Sequence, residues 1–417
     1  MKRLISLRRH LVIISLIIFL CFILVQCIDR GNHRKNEGKS ENTEFSQFAG
    51  SATCAKCHKQ IYDSFIVASH FLTSQQANIN NVKGSFEKGK NIFNYHMGLY
   101  VAMEKNDTGL YQVEYKNAIK TIARRFDITI GSGERGQTYL SWEDNLLTQL
   151  PVSYLSSVNE WANSPGDLDQ VYFDRPINSR CLECHTTYAK VIPFHLLNSP
   201  EEFEPKKIIY GITCEKCHGP AAEHVKYQTE NPNEKEGKYI IDPGKFSRQL
   251  SLDLCSLCHG GRIKSIKPTF SFTSGDKLQD YFRIDTSANN NSIDVHGNQY
   301  GLLSKSKCFR NSATLTCVSC HNPHDNESGN LALFSQKCMT CHNEEHGTFC
   351  KINPAPKNIT LNCIDCHMPK QVSKSIVLQL QSQKVPTAQL LRTHFIAIYP
   401  EATKDFMKNQ GSITAKK

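Results

Sequence analysis

Apolar residues make up only 39% of this chain, and long stretches of it show no hydrophobic periodicity. About 390 residues would ordinarily bury one or two good apolar cores, so something besides side chains has to help fill the interior. Other absences narrow the possibilities further. No Ala-x-Ala follows the N-terminal apolar run, which argues against ordinary signal-peptidase cleavage. No helix pattern and no Lys-Ser/Thr pair follows Gly131-Ser-Gly-Glu-Arg-Gly136, so that loop reads as a hairpin turn rather than a phosphate cradle. Only four of the eighteen cysteines, Cys21, Cys27, Cys308 and Cys350, lie outside one repeated motif.

That motif is Cys-x-x-Cys-His, and it occurs seven times: Cys54/Cys57/His58, Cys181/Cys184/His185, Cys214/Cys217/His218, Cys255/Cys258/His259, Cys317/Cys320/His321, Cys338/Cys341/His342 and Cys363/Cys366/His367. Two thiols at this spacing reach the two vinyl groups of one porphyrin and form thioethers, and the histidine that follows is delivered beneath the iron. Zinc ribbons use such cysteine pairs two at a time, whereas seven is odd, and they give no reason for the histidine. A disulfide scaffold would not impose one local spacing seven times. The chain is therefore expected to carry seven covalently bound haems c.

The N-terminus gives a compartment. Lys2, Arg3, Arg8 and Arg9 precede an apolar run from Leu11 to Val25 broken only by Ser15 and Cys21. Residues 1–28 read as a signal, lipoprotein or N-terminal membrane anchor, with the basic residues left in the cytoplasm. Leu24-Val25-Gln26-Cys27 resembles a lipoprotein box that would lipidate Cys27, although Gln26 stands where a small residue is usual. Alternatively, Leu11–Ile28 would be about 27 Å long as a helix, enough to span a bilayer core. Either reading tethers the protein on the periplasmic side of a bacterial membrane, with residues 29–49 as a flexible linker.

The formal net charge of +10 invites a nucleic-acid reading that the haems remove. Without residues 1–26 the charge is about +6, and fourteen propionates against seven ferric centres bring the oxidised holoprotein to about −1 and the reduced one to about −8. Basic side chains then pair with propionates, and nucleic acid is not an expected partner. The expected partners are redox proteins, and the membrane through the N-terminal anchor or lipid.

The motifs are unevenly spaced along a haem-bearing domain of residues 50–400, which a polar tail at 401–417 follows. Between His58 and Cys181 lie 122 residues, the one place where alternation looks like sheet. Tyr100-Val-Ala-Met and Tyr111-Gln-Val-Glu-Tyr flank a hairpin turn at Asn106-Asp-Thr-Gly109, and residues 90–156 read as a small antiparallel β insert. Elsewhere the expectation is a multihaem cytochrome c built mainly of short α-helices and loops packed around haems, the better helix candidates being Tyr62–Gln76 and Thr387–Ile398.

Low-spin haem iron needs a sixth ligand. Outside the motifs and the N-terminal segment eight histidines remain, His70, His96, His195, His224, His296, His324, His346 and His394. The two axial nitrogens sit on opposite porphyrin faces, while His324 and His346 follow proximal histidines by three and four residues and so project to the same side. Such neighbours, with His224 and His70, are better placed to ligate another haem than their own. His70, His224, His324 and His394 are the leading distal candidates, His96, His296 and His346 come next, and His195 is read as a packing residue.

Several segments resemble the multihaem cytochromes related to hydroxylamine oxidoreductase and its tetrahaem electron acceptor. They are Ser51-Ala-Thr-Cys-Ala-Lys-Cys-His with Ser69-His70, Thr213-Cys-Glu-Lys-Cys-His-Gly-Pro with His224, Thr316-Cys-Val-Ser-Cys-His-Asn-Pro-His, Cys363-Ile-Asp-Cys-His-Met-Pro-Lys and Arg392-Thr-His-Phe. The resemblance covers roughly residues 50–75 and 175–397, and implies that His70, His224, His324 and His394 ligate other haems. The chain departs from that group in having no Cys-x-x-Cys-Lys haem and no eighth haem. Electron transfer is accordingly the expected function. The alternative is an oxidoreductase of a small nitrogen or sulfur compound at one five-coordinate haem, with Tyr172, Arg175 and Arg180 as nearby candidates. Cys308 and Cys350 are expected to pair as a disulfide in an oxidising compartment.

Overall fold

The computed structural model describes residues 43–165, 170–193, 199–284, 293–353, 359–383 and 385–414. The N-terminal segment 1–28, most of the linker and His195 lie outside the described residues.

Sheet is not confined to an insert. Seventeen strands are present among the described residues, and the expectation of a mainly helical, loop-rich molecule is not met. After β1 (Ser74–Gln76) come β2 (Ile92–His96), β3 (Leu99–Asn106), β4 (Gly109–Lys116) and β5 (Ile119–Arg125), which form a four-stranded antiparallel meander. β3 and β4 meet at Asn106-Asp-Thr-Gly109, where Asn106 Oδ1 accepts from the backbone of Thr108 and Gly109. Then β6 (Ile128–Ile130), β7 (Gly136–Glu143), β8 (Leu146–Gln149), β9 (Val152–Leu155), β10 (Glu160–Asn163) and β11 (Arg175–Pro176) join β1 in a seven-stranded sheet.

The two-residue period of a strand gives this larger sheet two apolar faces. Tyr139 of β7 packs with Phe93, Val101, Met103, Phe126 and Trp161. Its neighbour Leu140 points the other way, into a cluster with Ile128, Leu147, Leu182, Ala189 and Phe203. Leu182 is the second residue of the motif beginning at Cys181, so this face of the sheet holds a motif directly.

Beyond it, β12 (Thr186–Val191) pairs with β13 (Phe203–Tyr210), β14 (Ile263–Ser265) with β15 (Phe282–Ile284), and β16 (Lys370–Leu378) with β17 (Thr387–Arg392). Segments between motifs still need partners for their backbone polar groups, and antiparallel return supplies them within a short distance. Thr387–Arg392, read as helical, is thus the strand β17. The helix expected over Tyr62–Gln76 is present as Lys59–Phe65 and gives way to β1. Pro400–Thr414, read as polar tail, forms a helix. No described helix is long and apolar enough to cross a membrane.

Candidate functional site

Each motif makes one tight turn. His58, His321, His342 and His367 donate their backbone N–H to the carbonyl of the first cysteine, at 2.8, 3.0, 2.9 and 3.0 Å. The motifs at Cys181 and Cys255 end capped helices. Asn178 caps Ser179–His185 through Cys181 N, and Ser247 caps Arg248–His259 through Leu250 N. One helical turn therefore gathers two thiols and an imidazole at one end of each motif.

The imidazoles are also oriented. Nδ1 of His218 lies 2.9 Å from Ile241 O, that of His367 2.9 Å from Ala397 O, and that of His342 3.2 Å from Thr348 O. Nδ1 of His185 meets Thr73 Oγ1 at 3.1 Å and that of His259 meets Gln299 Oε1 at 3.2 Å. Occupying Nδ1 in this way leaves Nε2 for a metal and fixes the plane of the ring.

Three of the proximal histidines face a second imidazole from a distant part of the chain. Ring centres are 6.1 Å apart for His259 and His70, 6.0 Å for His218 and His324, and 6.2 Å for His321 and His394. An imidazole nitrogen sits about 2.0–2.1 Å from a bound transition metal, and with the ring centre about 1.2 Å behind it, two imidazoles on one ion hold their centres about 6.4 Å apart. All three pairs fit a shared iron to within a few tenths of an ångström. His70, His185 and His394 are held down to about 4, first by burial and then by nearby imidazoles, including His259 for His70, His296 for His185 and His321 for His394. Neutral imidazole is the form that ligates.

The thiols link one motif to the next. Cys54 lies close beside Cys214, Cys184 beside Cys258, and Cys255 beside Cys317. Cys217 lies close enough to act electrostatically on Cys255, and Cys320 and Cys363 do the same to Cys338. In order of contact the motifs run Cys54, Cys214, Cys255, Cys317, Cys338, Cys363, with the Cys181 motif attached at the side of Cys255.

Not every motif thiol is enclosed in this way. Cys57, expected as a haem attachment point, is exposed, as are Cys181 and Cys341. Cys57 lies beyond the short helix Ser51–Cys54, and its backbone N–H donates to Cys54 O at 3.2 Å. That turn directs Cys54 towards Cys214 and leaves Cys57 on the solvent side, so Cys57 is not part of the buried thiol chain. An exposed thiol can still form a thioether, so a haem attached through Cys57 would be reached at the surface of the molecule.

The family model described as cytochrome c554 and c-prime matches residues 154–219. The multiheme cytochrome MtrA of Shewanella baltica (strain OS185) is 24% identical over 189 residues, which is 40% of this chain and 53% of that protein. The chain thus spans about half the length of that curated relative. The crystal structure of the outer cell wall cytochrome OcwA has a similar fold, with a TM-score of 0.53 at 16% identity, covering 86% of this chain and 81% of that one. All three comparisons point to multihaem c-type cytochromes.

Other residues of the cytochrome take different places. His224 holds its Nδ1 on Lys238 O at 2.8 Å, in a helix, Ala222–Glu230, that lies near Phe45–Gln47. The two regions are further tied by Glu215, whose carboxylate accepts from Ala49 N and Gly50 N at 2.8 and 2.9 Å. His96 is exposed on β2 and His346 is exposed with its Nδ1 on Asn343. Neither forms an imidazole pair among the described residues. Cys308 and Cys350 are unbridged. Cys308 lies near Cys341 and Cys320, whereas Cys350 lies near Cys363 and Cys366, so the expected disulfide is not formed. Tyr172 and Arg175 line one small cavity, and Arg175 and Arg180 both lie near Cys181, but their polar groups are engaged with other partners. Arg180 pairs with buried Glu183 at 2.6 Å and donates to Leu257 O, Arg175 donates to Pro165 O, and Tyr172 donates to Gln170. Sequence reasoning passed over Thr73 and Gln299, and no local pattern marks them, because their partners lie far away along the chain.

Proposed function

We propose that the cytochrome carries seven haems c and passes electrons along them between redox partner proteins, tethered by its N-terminal segment on the periplasmic side of a bacterial membrane. The observation that carries this reading is the set of three imidazole pairs, each joining a motif to a histidine from another part of the chain. When bound, each haem supplies a one-electron iron couple. Fourteen cysteines hold the porphyrins by thioethers and seven motif histidines ligate from one side. His70, His324 and His394 would supply the second imidazole to the haems at Cys255, Cys214 and Cys317. His296, whose charge acts on His185, takes the same role at Cys181, and His224 is assigned to the haem at Cys54. Because each of the three paired histidines joins its segment to another motif, the pairs would hold neighbouring haems in fixed relation, as hopping requires.

Low-temperature EPR of the oxidised protein, with its intact mass, tests the reading. The expected result is a polypeptide plus seven haems, with at least the five centres assigned a second histidine low-spin and no rapid cyanide binding. A stoichiometric high-spin signal with rapid cyanide binding would replace it by the enzyme reading. That alternative would draw on a cleft of about 800 Å³ beside the last motif, lined in part by Lys370, Arg392 and Tyr399. Arg392 is already committed there, to Asp365 at 2.8 Å and Met368 O at 2.9 Å, which favours the carrier.

A further inference from the structure

The two strands that follow the last motif form a ribbon with one packed face and one bare face. β16 and β17 pair with Lys370 opposite Arg392, Gln371 opposite Leu391 and Val372 opposite Leu390. Side chains alternate between the two faces of a strand, so Leu391 turns inward, where it packs with Val295 and Leu302. Ser373 is buried as well, and its Oγ donates to Asp294 Oδ1 at 2.9 Å. The other face carries Lys370, Val372, Lys374 and Leu390, all exposed. Val372 and Leu390 sit directly across from each other and are still 59% and 58% exposed, an apolar step that the described residues leave uncovered.

The ribbon is fastened at both ends. At its base Thr393 N donates to Pro369 O at 3.1 Å and Ala397 N to His367 O at 3.2 Å, so the pairing runs on to the histidine of the last motif. At its tip Gln381 Nε2 donates to Asn94 O at 2.9 Å, and Gln381 Oε1 accepts from Asn94 N at 3.0 Å, which ties it to β2. A surface fixed in this way loses little freedom when a partner settles on it.

Charge marks the partner. No Asp or Glu lies between Asp365 and Glu401, a stretch that contains Lys370, Lys374, Lys384 and Arg392. Of the carboxylates around the ribbon, Asp365 is taken by Arg392 at 2.8 Å, and Asp294 by Lys374 N and Ser373 Oγ. Glu401 and Asp405 line the cleft beside the motif, whereas Val372, Lys374 and Leu390 lie outside that lining. The reduced holoprotein is expected to carry about −8 overall, so an acid-free basic face is a local reversal of sign. An apolar centre flanked by lysines suits a protein partner that is steered by negative charge.

We propose that the outward face of the β16–β17 ribbon docks an acidic redox protein and brings its redox centre to the haem at Cys363. One electron passes between that centre and one iron, and no bond is made or broken. The inference rests on the electron-carrier reading above and on a haem at the last motif.

The probe is flavodoxin, a small acidic flavoprotein, whose hydroquinone becomes the semiquinone as one ferric haem becomes ferrous. The full holoprotein is compared with Lys370→Glu/Lys374→Glu, with Val372→Ser/Leu390→Ser and with Lys88→Glu/Lys105→Glu, a control on two exposed lysines elsewhere. Three quantities are read: calorimetric binding of oxidised flavodoxin, carbodiimide cross-links between lysines and carboxylates, and the stopped-flow electron-transfer rate at several salt concentrations. Cross-links are expected at Lys370 or Lys374. Affinity and rate at low salt should both fall about tenfold or more in Lys370→Glu/Lys374→Glu, and less than about threefold in the control. Val372→Ser/Leu390→Ser should bind several-fold more weakly with the parent's salt dependence, because steering is left intact. A Lys370→Glu/Lys374→Glu variant that binds and reacts like the parent overturns the proposal, as do cross-links confined to other lysines. Unchanged flavodoxin binding with lost binding to phosphatidylglycerol vesicles, or with lost self-association in sedimentation velocity, also overturns it, giving the face to a membrane or to a second copy. Failure of the haem reading shows separately, as a parent mass short of seven haems.

Discussion

A single imidazole is the unit on which the site is assembled, and His324 shows what it does. It lies three residues after His321 but pairs with His218, their rings nearly parallel at 11°. His324→Ala should leave haem content at seven, turn one of the seven centres high-spin and admit cyanide there, as read by EPR and optical titration. His70 and His324 were legible as long-range partners because their spacing from the preceding motif histidine denies them their own haems, whereas His394 was marked by the family resemblance. Which motif each one meets was not legible, since that is decided by contacts between remote segments. Tyr139 illustrates a residue with no site role. Its hydroxyl donates to Lys83 O at 3.0 Å and Gln137 Oε1 at 3.2 Å, and burial raises its titration well above the ordinary value. The raised value favours the folded state fully below about pH 10, the unfolded phenol's own value, and that contribution is lost as pH climbs through the folded value. Tyr139→Phe should cost about 1 kcal/mol at neutral pH, and its deficit against the parent in denaturant unfolding should narrow above about pH 10.

At the scale of elements, alternation located the strands around Tyr100–Met103 and Tyr111–Tyr115, because both faces of those strands are regular and their partners are adjacent in sequence. It failed for β17. Thr387–Arg392 is short, with Leu390 exposed and Leu391 buried, and its pairing with Lys370–Leu378 is interrupted by register shifts. Periodicity over six residues does not separate helix from strand. The helix starting at Lys59 had to end early for a different reason. The chain turns so that Ile212 N can reach His70 O at 2.9 Å and Ser74 Oγ can donate to His185 O at 2.6 Å. Gly211 makes that crossing possible. Its φ is +71°, and a Cβ would fall 2.0 Å from Phe71 O. Gly211→Ala combines left-handed strain with a backbone clash and should cost about 3 kcal/mol or more. Gly347→Ala, at φ +62° with nothing within 4 Å, should cost about 1 kcal/mol. Thermal unfolding of the two variants beside the parent measures the difference.

For the molecule as a whole, the sheets supply several separate apolar clusters from a chain only 39% apolar, and bound haems would add apolar surface between the motifs. Charge depends on the haems as well. Full reduction removes one positive charge per iron, so the holoprotein should focus at a lower isoelectric point when reduced than when oxidised, and both values should fall well below the 8.7 of the bare sequence. Native isoelectric focusing under dithionite and under ferricyanide reads this directly. The thiol contacts also have a topological consequence. Drawn as a graph, the seven motifs form a tree with one vertex of degree three, the motif at Cys255. Deleting an end vertex leaves a connected circuit, and deleting any other internal vertex leaves two pieces. Deleting this one leaves three by thiol contacts alone, but the His218–His324 imidazole pair ties the arms at Cys214 and Cys317 directly, so of the three arms only the one at Cys181 would depend wholly on that junction.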